Sequence, residues 1–135
     1  MSRSILCTID FSNASRQALV WAIDMAQELN MHLTILYTYR LIHSPDGNVV
    51  MLKKTLEEEA AQKFIQLEKD LLLGRELSYE FRTEIGFMAD RVENHTRQYA
   101  ISFLVMDKNM STSSKETFDE LFEHIHVPLV IVPQS

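Results

Sequence analysis

Cysteine is almost missing from this 135-residue chain. The one cysteine, Cys7, cannot form an internal disulfide, so the sequence favours a reducing compartment. Cys7 lies within the apolar run 5–9, whereas a reactive thiol needs exposure and cationic neighbours. We therefore predict a buried structural thiol and no cysteine nucleophile.

Excess positive charge and long apolar runs are also missing. The formal net charge is −6 and the sequence pI is near 5.3, which disfavours a nucleic acid or an anionic membrane as partner. No run approaches the length of a membrane span, and the start of the chain lacks the basic residues and apolar stretch of a signal peptide. We expect no membrane or nucleic-acid partner and a cytoplasmic location.

Glycine is scarce, with only Gly47, Gly74 and Gly86 in the chain. No Walker loop, dinucleotide fingerprint, nucleophile motif or Cys/His metal array is present. The absence of motifs leaves no positive reason to assert catalysis. We therefore assign no catalytic residue, no metal ligand and no cofactor from motifs.

The segment 4–39 has the pattern of a strand, a helix and a second strand. Ser12 and Ser15 can accept hydrogen bonds from the first helical N–H groups, and Asn30 suits the left-handed residue that ends a helix. The predicted buried face of the helix has spacings of three and four: Ala14, Ala18, Trp21, Ala22, Met25, Ala26 and Leu29. The segment is thus predicted to be a βαβ unit that begins a parallel sheet.

The rest of the chain alternates in the same way. Helical patterns cover about 50–73, with Gly74 as the cap, and about 88–99, with Ala89, Val92, His95 and Tyr99 inward. The last helix of the chain is predicted to begin at the capping box 113–116. Strands are predicted at 77–85, 101–106 and 127–133. We expect one domain, 1–135, with a doubly wound five-stranded parallel sheet and helices on both faces. His95 is predicted to be a hydrogen-bonded residue at the edge of the core and not a catalyst.

With that order established, the chain resembles the universal stress protein family. The similarity lies in the segments Ile5-Leu-Cys-Thr-Ile-Asp-Phe-Ser12, Ala18-Leu-Val-Trp-Ala22, Leu33-Thr-Ile-Leu36, Leu104-Val-Met106 and Val127-Pro-Leu-Val-Ile-Val132. The resemblance implies the strand order 3-2-1-4-5 and a ligand crevice between the carboxyl ends of strands one and four. Open α/β sheets generally bind ligands where the strand order reverses.

ATP-binding members of the family place adenosine in that crevice. By position, the resemblance assigns the first-strand contacts to Thr8, Ile9 and Asp10, the second-strand contact to Thr38 and the fourth-strand contact to Met106. In such members a glycine-rich stretch, G-x2-G-x9-G-(S/T), holds the phosphates, because glycine lets backbone N–H groups approach the anion.

This chain departs from the family pattern after the fourth strand. The stretch 107–116 contains no glycine, and Asp107 takes the place of the first one. We expect Asp10 and Asp107 to face the crevice together and to repel a phosphate. The hydroxyl groups of Ser111, Thr112, Ser113 and Ser114 either cap the next helix or bind an anion there. A divalent cation between the two aspartates is a less favoured alternative.

The leading hypothesis is a non-catalytic stress-protein module, without ATP binding, that acts by homodimerisation and by binding an unknown protein. The family resemblance implies pairing of the last strand, Leu129, Val130, Ile131 and Val132, with its copy, and a bare edge strand favours such pairing. One alternative is a nucleotide-binding protein or slow ATPase with an altered phosphate loop, with ATP and Mg²⁺. A weaker alternative is another small ligand in the same crevice.

Overall fold

A central parallel sheet organises the chain. The computed structural model describes residues 3–41, 49–109, 121, 123 and 125–133. Its elements are, in order, β1 Ser4–Ile9, α1 Asn13–Leu29, β2 His32–Tyr39, α2 Val49–Leu67, β3 Tyr79–Ile85, α3 Met88–Gln98, β4 Ile101–Asp107 and β5 Leu129–Val132. The strand order is β3-β2-β1-β4-β5, and each neighbouring pair is parallel. The predicted doubly wound sheet is confirmed.

The boundaries of α1 follow from its two ends. Ser12 is the N-cap, and its hydroxyl oxygen accepts a hydrogen bond from the Ser15 N–H at 3.2 Å. Asn30 ends the helix in the left-handed conformation, with φ of 55°, and its N–H donates to the last carbonyls. A short polar side chain tolerates this conformation better than most residues. Both predicted ends of the helix are confirmed.

Two cores cover the sheet, one on each face. Successive strand residues point to opposite faces, so Ile5, Cys7 and Ile9 pack under α1 and α2, whereas Leu6 packs under α3. The first core also takes Leu33, Ile35 and Val105 from the neighbouring strands. The second takes Leu36, Leu104 and Met106, together with Val92 from α3. Cys7 is fully buried, and burial, with a smaller effect of Asp107, raises the pKa of its thiol.

The helix predicted over 50–73 is not uniform. The α-helix ends at Leu67, and a π-helical turn, Glu68–Leu72, continues it. Its last residue, Leu72, is 2% exposed, so the wider turn still delivers an apolar side chain to the core. Gly74 follows with φ of 84°, as a glycine cap should. The third strand begins at Tyr79, two residues later than predicted.

The inner face predicted for α3 is confirmed for Ala89, Val92 and His95 and is wrong for Tyr99. The helix ends at Gln98, and Tyr99 has extended backbone angles. Its side chain therefore leaves the helical periodicity and is 45% exposed. None of the helices in the described ranges is long and apolar enough to cross a membrane.

Burial in the β2 core predicts the cost of truncating an isoleucine. Ile35 is fully buried and Ile85, at the end of the edge strand β3, is 40% exposed. Ile35→Ala should lower the free energy of unfolding by about 2–5 kcal/mol, because it leaves a cavity in a packed core. Ile85→Ala, the matched control, should cost less than about 1 kcal/mol. Urea denaturation of both variants measures the difference, and equal losses would contradict the assignment of the core.

Candidate functional site

The reversal of strand order between β1 and β4 fixes where a ligand crevice lies. The carboxyl ends of the two strands are Ile9 and Asp107, and Cys7 lies beside Val105 in the register. Thr8 and Met106 therefore share one level of the sheet, one residue before those ends. This arrangement brings together the first- and fourth-strand positions that the sequence assigned to the crevice.

Alternation divides these residues between the two faces. Ile9 is 1% exposed and belongs to the core under α1, whereas Met106 is fully buried in the core under α3. Thr8 is also 1% exposed, and its hydroxyl oxygen has no hydrogen-bond partner among the described residues. Thr38 is half-buried near the end of β2. The predicted contacts Ser111, Thr112, Ser113 and Ser114 lie outside the described residues.

Asp10 is exposed and is engaged in its own turn. Its carboxylate oxygen Oδ1 accepts hydrogen bonds from the Ser12 N–H at 3.0 Å and from the Ser12 hydroxyl at 2.5 Å. The Asp10 N–H in turn donates to the Ser15 hydroxyl oxygen at 3.2 Å. The aspartate thus holds the turn between β1 and α1, while one side of its carboxylate remains open to solvent.

Asp107 is placed differently from the sequence expectation. It is 1% exposed, and alternation from Val105 puts it on the α1 face of the sheet. Its charge contributes to the raised pKa of the Cys7 thiol, after burial. The two carboxylates therefore do not face the crevice as an exposed pair, because Asp10 follows the strand and Asp107 is still within one.

Phe11 is the residue at this site that the sequence reasoning missed. It has φ of 66°, a conformation that costs a residue with a side chain about 1–2 kcal/mol. Its ring packs against Tyr37, with centroids 5.0 Å apart, and against Phe81 at 6.2 Å. The sequence carried no signal for it, because positive φ is expected of glycine, asparagine or aspartate and not of phenylalanine.

A cavity of about 450 Å³ opens beside this turn. Asp10, Phe11 and Ser12 form one wall, and Lys63, Gln66 and Leu67 of α2 form the other. The Lys63 ammonium lies 5.7 Å from the centre of the Phe11 ring, within range of a cation–π interaction. The cavity therefore offers an aromatic surface, one carboxylate and one ammonium to a small molecule.

The charge of Asp10 also acts on a neighbouring residue outside the cavity lining. The pKa of Tyr37 is raised, first by burial and then by the charges of Asp10 and Glu59, so its phenol stays protonated at neutral pH. Histidine and cysteine are missing from the described cavity lining. No group of three or more His, Cys, Asp or Glu side chains within the described ranges is arranged to hold a metal ion.

Comparison with known proteins gives one family. The model of the universal stress protein family matches residues 1–133. No match was found among curated protein sequences.

Solved structures support the same fold. A universal stress protein family member from Burkholderia pseudomallei is 20% identical, with a TM-score of 0.76 over 97% of this chain and 96% of that one. UspA from Lactobacillus plantarum is 18% identical, with a TM-score of 0.78 over 96% and 97%. The universal stress protein from Archaeoglobus fulgidus in complex with dAMP is 11% identical, with a TM-score of 0.64 over 96% of each chain.

The strain at Phe11 can be measured with two substitutions. Phe11→Ala and Phe11→Gly lose the same ring contacts and differ in how well they tolerate positive φ. Relief of about 1–2 kcal/mol of left-handed strain exceeds the extra entropy of an unfolded glycine, about 0.5–1 kcal/mol. The free energy of unfolding should therefore be about 0.5–1 kcal/mol higher for the glycine variant than for the alanine variant. Urea denaturation tests this, and an alanine variant of equal or greater stability would show that the turn is unstrained.

Proposed function

Because the chain belongs to the universal stress protein family, we propose that it is a non-catalytic module that dimerises and binds a partner protein, and that it has lost ATP binding. The observation that carries the proposal is the absence of glycine after Gly86. Side-chain-free positions let backbone N–H groups surround a phosphate. A loop in which each residue has a Cβ cannot approach the anion in the same way.

Asp10 by itself does not distinguish this chain from ATP-binding members, because the resemblance places a ligand contact at the same position. The difference lies after β4, where Asp107 takes the place of the first glycine of the phosphate-binding stretch. Asp107 is 1% exposed, so the missing glycines, and not repulsion by an exposed carboxylate, support the loss of ATP binding.

A nucleotide or another small ligand is the second candidate. The structure of the universal stress protein from Archaeoglobus fulgidus is of a complex with dAMP, and in this chain the cavity beside Phe11 offers an aromatic surface on which a base could stack. With this candidate, Mg²⁺ would accompany a triphosphate, and the exposed Asp10 carboxylate would be one of its ligands.

Calorimetry distinguishes the two candidates. Titration with ATP and Mg²⁺ should give a Kd weaker than about 1 mM, equivalent to about −4 kcal/mol, because the phosphates have no backbone cradle. The Archaeoglobus fulgidus protein titrated with dAMP is the positive control. A micromolar Kd for ATP would overturn the proposal and favour the second candidate.

Dimerisation is proposed through β5. The strand lies at the end of the described sheet, and its four residues are half-buried. The Pro128 carbonyl accepts a hydrogen bond from Leu104 of β4, and the Val132 carbonyl accepts one from Lys108, directly after β4. Leu129 and Ile131 therefore direct their N–H and C=O groups away from β4. An open apolar edge of this kind is normally covered or paired.

The alternation of hydrogen-bonding groups also fixes the register of a symmetric dimer. An antiparallel pair uses all four outward groups when Leu129 faces the partner subunit's Ile131. Val130 then faces its own copy as a non-hydrogen-bonded pair, with Cα atoms about 4.5 Å apart. Pro133 lacks an N–H and cannot extend the ladder, which favours a closed dimer over a growing sheet.

Cysteine cross-linking tests this register. Val130→Cys should form a disulfide-linked dimer under mild oxidation, because about 4.5 Å lies within the Cα separation of disulfides, about 4.4–6.8 Å. Ile131→Cys, the matched control, places the two cysteines two residues apart along the strands and should cross-link poorly. The natural Cys7 is fully buried and does not interfere. Non-reducing electrophoresis gives the yield; a monomer by light scattering, or equal yields, would contradict the dimer.

A further inference from the structure

A second, smaller cavity lies on the other face of the sheet, between β3 and α3. Its volume is about 130 Å³, and its lining is polar throughout. A water molecule occupies about 30 Å³ in the liquid, so the cavity has room for about four waters. A phosphate, a sulfate or a small carboxylate is of that size. The cavity shares no lining residue with the one beside Phe11.

Two arginines dominate the charge of this cavity. Arg82 from β3 lies 3.6 Å from the Glu84 carboxylate and donates a hydrogen bond to the Tyr99 hydroxyl at 3.2 Å. His95 lies 2.8 Å from the same Glu84 carboxylate. The single acid of the lining is therefore already matched by Arg82 and hydrogen-bonded to His95.

Arg91 lines the same cavity but takes no part in this network. Its Nε is buried without a hydrogen-bond partner, and no carboxylate in the described ranges lies within 4.0 Å of its guanidinium. Gly86 leaves room for it, since a Cβ there would lie 3.3 Å from that Nε. The Nε has almost no accessible surface, so an anion in the cavity would contact the rest of the guanidinium, which lines the cavity and has no carboxylate beside it in the described ranges.

We propose that this cavity binds a small oxyanion of the phosphate class through the Arg91 guanidinium. With Glu84 matched by Arg82, the cavity carries a net charge of +1 in a protein of net charge −6. Guanidinium binds phosphate with paired, charge-assisted hydrogen bonds. The amide groups of Asn94 and Gln98, which also line the cavity, supply neutral donors. The anion is either free phosphate or the terminal phosphate of a small metabolite.

The test is a titration with inorganic phosphate followed by ¹⁵N NMR, at constant ionic strength in chloride. The Arg91 Nε–H resonance should shift and saturate, together with the side-chain amides of Asn94 and Gln98. Arg91→Gln should weaken binding about tenfold or more, as expected for loss of a charged hydrogen bond. Arg97→Gln, on the same helix and outside the cavity, changes the charge equally and should alter affinity by less than about twofold.

Several outcomes decide the proposal. Absence of a saturable shift at Arg91 in the wild-type protein would overturn it, even if the Arg91→Gln variant did not fold. Equal weakening by Arg97→Gln would also overturn it, because binding would then follow net charge alone. A parallel titration with glycerol phosphate identifies the source, since tighter binding of the monoester indicates a metabolite. The result is independent of ATP binding in the β1–β4 crevice.

Discussion

The burial of β1 on both faces is the constraint on which the rest of the structure depends. Its residues from Ile5 to Ile9 are each 1% exposed or less, because α1 and α2 cover one face and α3 covers the other. A strand covered on both faces exposes none of its side chains to solvent. Functional groups can therefore come only from the turn that follows the strand, or from the few polar side chains tolerated inside it.

This constraint explains how the polar residues at the crevice divide their roles. Thr8 and Asp107 are inside strands and are buried, whereas Asp10 follows its strand and is exposed. An exposed carboxylate that bonds Ser12 stabilises the start of α1. A buried one acts on its neighbours, as the raised pKa of the Cys7 thiol illustrates. Asp10 and Asp107, which the sequence predicted to face the crevice together, thus differ in their access to a ligand.

Local chemistry made much of the fold predictable. Ser12 and Asn30 fixed α1 because their side chains satisfy or tolerate the special geometry of helix ends, and the resemblance supplied the strand order. The π-helical turn after Leu67 was not predictable, because its apolar spacing is nearly that of an α-helix. Tyr99 was misplaced because a one-residue error at a helix end rotates the side chain away. The oxyanion cavity was missed because Arg82, Arg91 and His95 come from two elements whose packing is tertiary.

The two cavities lie on opposite faces of the same sheet. The one beside Phe11 is walled by the β1–α1 turn and α2, and the one at Arg91 by β3 and α3. Their charges also differ, since the first is lined by Asp10 and Lys63, of opposite charge, whereas Arg91 gives the second a cation without a carboxylate in the described ranges. The proposed loss of ATP binding and the proposed binding of an oxyanion therefore concern separate faces of the sheet, and the first does not exclude the second.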